Sequence, residues 1–319
     1  PVIGRYSSFK IALPGGCAIG TRSIDLHLDA LKKMGVKIKI LNGYVVASRS
    51  GKSLTAINHR FPKISVGATQ NIIMAATLAS GTTVLKNCAI EPEVIDLINF
   101  LNKCGSKITV NKRVIKIAGK ENLELSNHEI IPDRIEAGSY ILATMATKGK
   151  LQIKNFLIEH LQEPINLFKK MGLKVKKINT NEYLFSCSRI KPINLIETKE
   201  YPGFPTDLQA QLISVFLKNG KKSKIKENIF ENRFIHVPEL RRFGADIVLK
   251  NNIVTIDKVS ELNGAEVMAT DLRGSFSLII AALLSKGETI ISRIYHLDRG
   301  YEDFDLKLKQ CGVNIKRKK

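Results

Sequence analysis

Cys17 stands in the run ALPGGCAIG (12–20), behind a proline and two glycines. Proline removes a backbone donor and glycine loosens the chain, so neither suits a core strand. The run reads as a loop that presents a thiol. A thiol with an ordinary pKa of about 8.5 is mostly protonated at neutral pH yet able to release its proton. Cys88, Cys104, Cys187 and Cys311 lack such a setting and read as small packing residues. Asp207, in FPTDLQAQ, follows a proline and a threonine and precedes a helical stretch. A carboxylate there either caps backbone N–H groups or, within reach of a substrate hydroxyl, acts as a base. Arg22 follows Cys17 closely, and Arg233 (ENRF), Arg273 (DLRG) and Arg299 (DRGY) fall one in each of three later segments. Guanidinium forks match phosphate and carboxylate oxygens in pairs; the ordinary alternative is a surface ion pair. Asp271 and Asp298 lie beside Arg273 and Arg299, which predicts ion pairs inside each motif. In KISVGAT, Lys63, Ile64, Ser65 and Val66 lead into a helix, where free N–H groups, a hydroxyl and a lysine suit a phosphate or simply cap the helix.

The elements that hold these groups must come from a chain of 319 residues, 44% hydrophobic and 25% charged. That length and composition predict a globular protein of two domains. The densest apolar run, LIIAALL (278–284), is too short for a membrane span and predicts a buried helix. No secretory signal opens the chain, and five cysteines without a CxxC pair predict reduced thiols in a cytoplasmic protein. Six scattered histidines give no metal-ligand spacing, so no metal is expected. The net charge is +21, which raises nucleic acid as a partner. The lysines, however, are spread through runs such as KKMGVKIKI and KNGKKSKIKE, and aromatic content is 6%. A solvated basic surface attracting small anions is the better reading, with no nucleic acid and no membrane as partner.

The chain repeats itself. Helix, glycine, strand, turn and strand recur as ALKKMGVKIKILNGYVVA, FLNKCGSKITVNKRVIKI, LFKKMGLKVKKINTNEYLFS and ELRRFGADIVLKNNIVTI, and shortened as KLKQCGVNIKRKK. Their glycines, Gly35, Gly105, Gly172, Gly244 and Gly312, are spaced by about 70 residues. A second series interleaves at Gly81, Gly149, Gly220 and Gly287. Its helices, NIIMAATLAS and SFSLIIAALLS, are apolar nearly all round and must be buried. Each unit is thus two helices plus hairpin strands. A linker is expected near HEIIPDRIEAGS (128–139), with two units before it and three after. The predicted domains are 1–131, carrying the cysteine loop, and 132–319.

The stretches LPGGCAIGTRSIDLH, KISVGATQNIIMAATLASGTT, EPEVIDLINFL, IPDRIEAGSY, FPTDLQAQ, FENRFIHVPEL, ATDLRGSFSL and RIYHLDRGYE run in order along the whole chain. Together they resemble the UDP-N-acetylglucosamine 1-carboxyvinyltransferases. The resemblance implies an α/β (α+β) fold, a two-domain inside-out barrel of repeated βα units with substrates in the cleft between the domains. One N-terminal unit is expected to be missing: about a hundred residues precede ALPGGC in that family, and the repeat count agrees. Those residues carry a Lys-Asn pair and an arginine of the substrate sites.

The implied reaction moves the enolpyruvyl group of phosphoenolpyruvate to the 3-hydroxyl of UDP-N-acetylglucosamine and releases phosphate, the first committed step of peptidoglycan synthesis. No cofactor or metal is implied. Cys17 and Asp207 are the implied catalytic residues, with Cys17 open to alkylation by phosphoenolpyruvate or fosfomycin. Arg22, Arg233, Arg273 and Arg299 join Cys17 around phosphoenolpyruvate. Arg22, Ser23, Ile24, Asp25, Leu26, Lys63, Ile64, Ser65, Val66, Asp207 and Ile229 take the UDP-sugar. Ser23-Ile24 stands where the family commonly has Pro-Val. Glu91 and Glu93 also match, while Asp133, Arg134 and Glu136 read as a hinge network and His236 and His296 as core or network histidines. Three alternatives stand beside this reading. One is the shikimate-pathway transferase, which lacks the cysteine loop. Another is an inactive truncated remnant that at most binds the UDP-sugar. The third is a nucleic-acid binder, whose affinity would fall steeply with salt.

Overall fold

The five repeated helix ends close on glycines in the left-handed region: Gly35 (φ +91°), Gly105 (+91°), Gly172 (+114°), Gly244 (+87°) and Gly312 (+86°). Four of them share one hydrogen-bond pattern. The N–H after the glycine returns to a carbonyl in the helix's last turn: Val36 to Leu31, Ser106 to Leu101, Leu173 to Phe168 and Val313 to Leu308. This closure satisfies carbonyls that the helix leaves open, and only glycine adopts that backbone without strain. After each of the first four glycines comes an antiparallel hairpin: Lys37–Leu41 with Tyr44–Ser48, Lys107–Asn111 with Val114–Ala118, Lys174–Asn179 with Glu182–Ser186, and Asp246–Lys250 with Ile253–Asp257. The first turns on Asn42 (φ +49°) and Gly43 (+77°), left-handed at both centres as a tight hairpin demands.

The computed structural model describes residues 1–14, 24–219 and 221–318. These fall into two compact units that part between Ile131 and Pro132, each with its own apolar core. In the first unit the Val66–Ala76 helix buries Ala68, Thr69, Ile72, Ile73, Ala75 and Ala76. The helices Asp25–Lys33 and Pro92–Lys103 pack against it. Asn58–Arg60 pairs in parallel with Thr82–Lys86, which pairs antiparallel with Val114–Ala118.

In the second unit three helices, Arg134–Ala146, Gln209–Phe216 and Leu272–Leu284, pack on one another. Every residue of Gln209–Phe216 is buried. So are Gly138 through Ala146 and Arg273 through Ala281. Their all-round apolar sequences fit no other place. Amphipathic helices, Gln162–Met171 and Val237–Arg242, and sheets such as Leu195–Glu197 parallel to Ser223–Lys226 complete the unit. Helices inside and sheets outside is the inside-out arrangement expected.

The expected linker is corrected in its second half. Residues 119–133 carry no helix or strand, but Arg134 already opens a buried helix capped by Asp133. The capping carboxylate wins over the apparent looseness of PDRIEAGS. No described helix is long and apolar enough to cross a membrane.

Candidate active site

Two of the three buried helices of the second unit begin on a capping aspartate. Asp133 accepts hydrogen bonds from the backbone N–H groups of Ile135 (2.7 Å) and Glu136 (3.0 Å). Asp271 accepts from Arg273 (3.0 Å) and Gly274 (3.1 Å). Asp207 departs from this pattern. It lies in the single turn Thr206–Leu208 ahead of Gln209–Phe216, and neither start has a side-chain cap. Its carboxylate instead meets two arginines, Arg233 Nη2 at 2.7 Å and Arg273 Nε at 3.5 Å. The capping role open to Asp207 from sequence is therefore not the one it takes. Two buried guanidinium groups draw the carboxylate away from the backbone.

Burial makes this cluster unusual. Arg233 is 4% exposed and Arg273 is 9%, whereas the Asp207 side chain remains 38% exposed. Arginine is almost never buried without a partner, so two at one point demand anionic company. Arg273 has its guanidinium carbon 5.3 Å from the Tyr301 ring centre. Its Nη1 is buried with no hydrogen-bond partner. Tyr301 stacks on Phe276 at 4.5 Å. Its hydroxyl meets Ser139 Oγ (2.9 Å) and accepts from Gln211 Nε2 (3.1 Å). Gln211 Nε2 also donates to the Asp207 carbonyl (2.9 Å). Ser139, Gln211 and Arg273 come one from each buried helix, so the helix bundle itself fixes the site. Burial pushes the Tyr301 phenol up, keeping it protonated, and pushes His236 down to about 4, keeping it neutral beside Arg233. His236 is thus a core histidine, as expected.

Sequence reasoning passed over Glu227, in KIKENIFENRF. It is 2% exposed and accepts four hydrogen bonds. Its Oε1 takes Thr198 Oγ1 (2.9 Å), Ile229 N (2.8 Å) and Phe230 N (3.2 Å), and its Oε2 takes Thr206 Oγ1 (2.9 Å). Thr206 adjoins Asp207. Ile229 and Phe230 open the loop that leads to Arg233. A glutamate two residues before an apolar pair carries no sequence signal beyond its ordinary polarity.

Two expected pairings are corrected. Asp298 pairs with Arg317 (3.1 and 2.8 Å), and Asp271 is spent on backbone N–H groups, so neither holds the arginine of its own motif. Helix capping and the reach of the C-terminal segment decide both cases. Arg299 is the remaining described arginine of the expected set. It is exposed and lines a cavity of about 740 Å³ with Asp133, Glu136, Asp298 and Tyr301. Of the suspected hinge group, Asp133 caps a helix, Glu136 accepts from Lys307 Nζ (2.7 Å) and Arg134 lies 5.5 Å from the Tyr201 ring centre.

In the first unit Ser65 caps the Val66–Ala76 helix, accepting from Ala68 N at 3.3 Å. Ile64 packs half-buried on the core and Lys63 is exposed. Ile24 precedes and Asp25 opens the helix Asp25–Lys33, with Leu26 packed on the same core. The two helix starts are neighbours: a methyl group added at Gly67 would lie 3.6 Å from the His27 ring. Glu91 is buried ahead of the Pro92–Lys103 helix, whose first turn holds Glu93. Cys17, Arg22 and Ser23 lie outside the described residues.

The family profile described as EPSP synthase (3-phosphoshikimate 1-carboxyvinyltransferase) matches residues 1–308. The UDP-N-acetylglucosamine 1-carboxyvinyltransferase of Pelagibacter ubique (strain HTCC1062) is 52% identical over 319 residues, covering 99% of this chain and 76% of the relative. That of Rickettsia bellii (strain OSU 85-389) is 48% identical, covering 99% and 75%. Among solved structures, the enolpyruvyl transferase NikO from Streptomyces tendae matches with a TM-score of 0.87 at 23% identity, covering 99% of this chain and 75% of that one. EPSP synthase from Acinetobacter baumannii matches at 0.73 and 16% identity, covering 99% and 77%. At such identities these structures carry the fold alone.

Proposed function

The chain belongs to the EPSP synthase family of 1-carboxyvinyltransferases and, within it, to the UDP-N-acetylglucosamine 1-carboxyvinyltransferases; from that premise we propose how its own residues carry the reaction. It transfers the enolpyruvyl group of phosphoenolpyruvate to the 3-hydroxyl of UDP-N-acetylglucosamine and releases phosphate. The carrying observation is the pair of buried arginines, Arg233 and Arg273, held against the half-exposed Asp207 carboxylate, with Arg273 Nη1 buried and without a hydrogen-bond partner.

A transfer of this kind needs cations for phosphate and carboxylate, a base for the hydroxyl and a proton for the methylene carbon. Arg233 and Arg273 supply the cations, joined by Arg22 and Arg299 from the sequence. Asp207 takes the hydroxyl proton as the sugar oxygen bonds to the central carbon of the enolpyruvyl group. Cys17 gives its proton to the methylene carbon. The Cys17 thiolate then takes a methyl proton back, the phosphate leaves with the proton held by Asp207, and the double bond re-forms. The neighbouring helix starts of the first unit, Ile24–Leu26 and Lys63–Val66, hold the UDP-sugar with Arg22, Ser23 and Ile229. Backbone N–H groups at a helix start favour diphosphate. The reaction feeds peptidoglycan synthesis in the bacterial cytoplasm, where Cys17 is the residue open to fosfomycin.

The test is phosphate release by the purified chain. Release that requires phosphoenolpyruvate and UDP-N-acetylglucosamine together, with a product heavier than the sugar nucleotide by one enolpyruvyl group, is expected. Release with shikimate 3-phosphate in place of the sugar nucleotide, or none with either, overturns the reading.

A further inference from the structure

We infer that Glu227 is a positioning residue for the reaction: its buried carboxylate sets Asp207 against Arg233. Two chain segments meet at the site, the turn Thr206–Leu208 and the loop from Glu227 to Arg233. They are joined twice. On the exposed side the rung is the ion pair Asp207–Arg233 at 2.7 Å. On the buried side it is Glu227, with Thr206 Oγ1 on one oxygen and the loop's own Ile229 and Phe230 N–H groups on the other.

The chemistry of the acceptor explains the residue type. A carboxylate offers acceptors on both oxygens and no donor, so it answers two hydroxyls and two backbone N–H groups at once. Thr198 adds a third segment, since its Oγ1 donates to Glu227 and accepts from Asn228 N at 2.9 Å. Three segments thus close on one carboxylate that solvent does not reach. Thr206 is the link that matters for chemistry, because it is bonded directly to Asp207 along the chain. A base must lie within hydrogen-bond reach of the proton it takes, and a displacement of about 1 Å costs on the order of a hundredfold in rate.

The inference rests on Asp207 acting in enolpyruvyl transfer, so the test has a readout for each. Thr206→Val is nearly isosteric and deletes only the rung, while Thr206→Ser restores it. Arg241→Ala is the control; it removes a guanidinium that clasps the Ile247 carbonyl (3.0 and 2.7 Å) in the same unit. Thr206→Val is expected to lower kcat about tenfold or more with KM for the sugar nucleotide changed less than about threefold. Thr206→Ser is expected to recover kcat to within about twofold, and Arg241→Ala to lower Tm while keeping kcat within about twofold. In a crystal structure of Thr206→Val the Asp207–Arg233 pair is expected to lengthen beyond about 4 Å, the limit of an ion pair. A Thr206→Val enzyme with unchanged kcat, or one whose Asp207–Arg233 pair stays in place, overturns the inference. If the unaltered chain gives no turnover but the pair still opens in Thr206→Val, the positioning stands and the functional reading falls.

Discussion

At the scale of single residues, the site is governed by which charges are left to answer which. Asp207 is predicted to matter more for turnover than for affinity. Asp207→Asn is expected to lower kcat by about a hundredfold or more, the usual worth of a positioned base, with the calorimetric Kd for UDP-N-acetylglucosamine moving less than about tenfold. Equal losses in both would make Asp207 a binding group only. Most of this cluster is legible in the sequence because arginine and aspartate recur in short motifs: FPTD, ENRF and DLRG. The pairing is not legible. Asp271 adjoins Arg273 in the chain, yet its carboxylate turns to the backbone, and the arginine finds Asp207 from another segment. Glu227, Gln211 and Ser139 are silent for the same reason, since each acquires its role from partners far along the chain.

At the scale of elements, the glycine-ended helices are the clearest product of the repeats. They also allow a paired test. Gly172 combines a φ of +114° with a backbone approach so close that an added methyl would collide with the Arg189 carbonyl. Gly244 has a φ of +87° and nothing near it. Gly244→Ala is expected to cost about 1–2 kcal/mol, the strain of a left-handed alanine alone. Gly172→Ala is expected to cost at least about 1 kcal/mol more, since overpacking adds to that strain. Denaturant unfolding of both variants checks the difference, and equal losses would refute the role given to the Arg189 contact. Periodicity and glycine spacing thus reveal the helices, hairpins and their burial. They mislead at 134–139, where PDRIEAGS has the composition of a loop and the Asp133 cap makes it a helix.

At the scale of the whole molecule, the net charge of +21 and the buried His236 both bear on stability. Burial holds His236 at about 4 against its ordinary 6.5, with Asp271 opposing it and the charge of Arg233 adding a smaller push in the same direction as burial. The unfolded chain therefore takes up this proton before the folded one does. Stability from this group is complete above pH 6.5 and is lost as pH falls towards 4. His236→Gln is expected to flatten the fall in unfolding free energy across that window, measured by urea titration at each pH. An unchanged slope would refute it. Self-repulsion among the excess lysines falls on the folded state over the same range. Of the three buried helices of the second unit, two open on a capping aspartate and Gln209–Phe216 does not. What Gln209–Phe216 forgoes at its uncapped start, about 1 kcal/mol, is offset by the complete enclosure of its eight residues. The one start without a capping side chain is thus the one whose neighbouring carboxylate, Asp207, faces Arg233 and Arg273 instead.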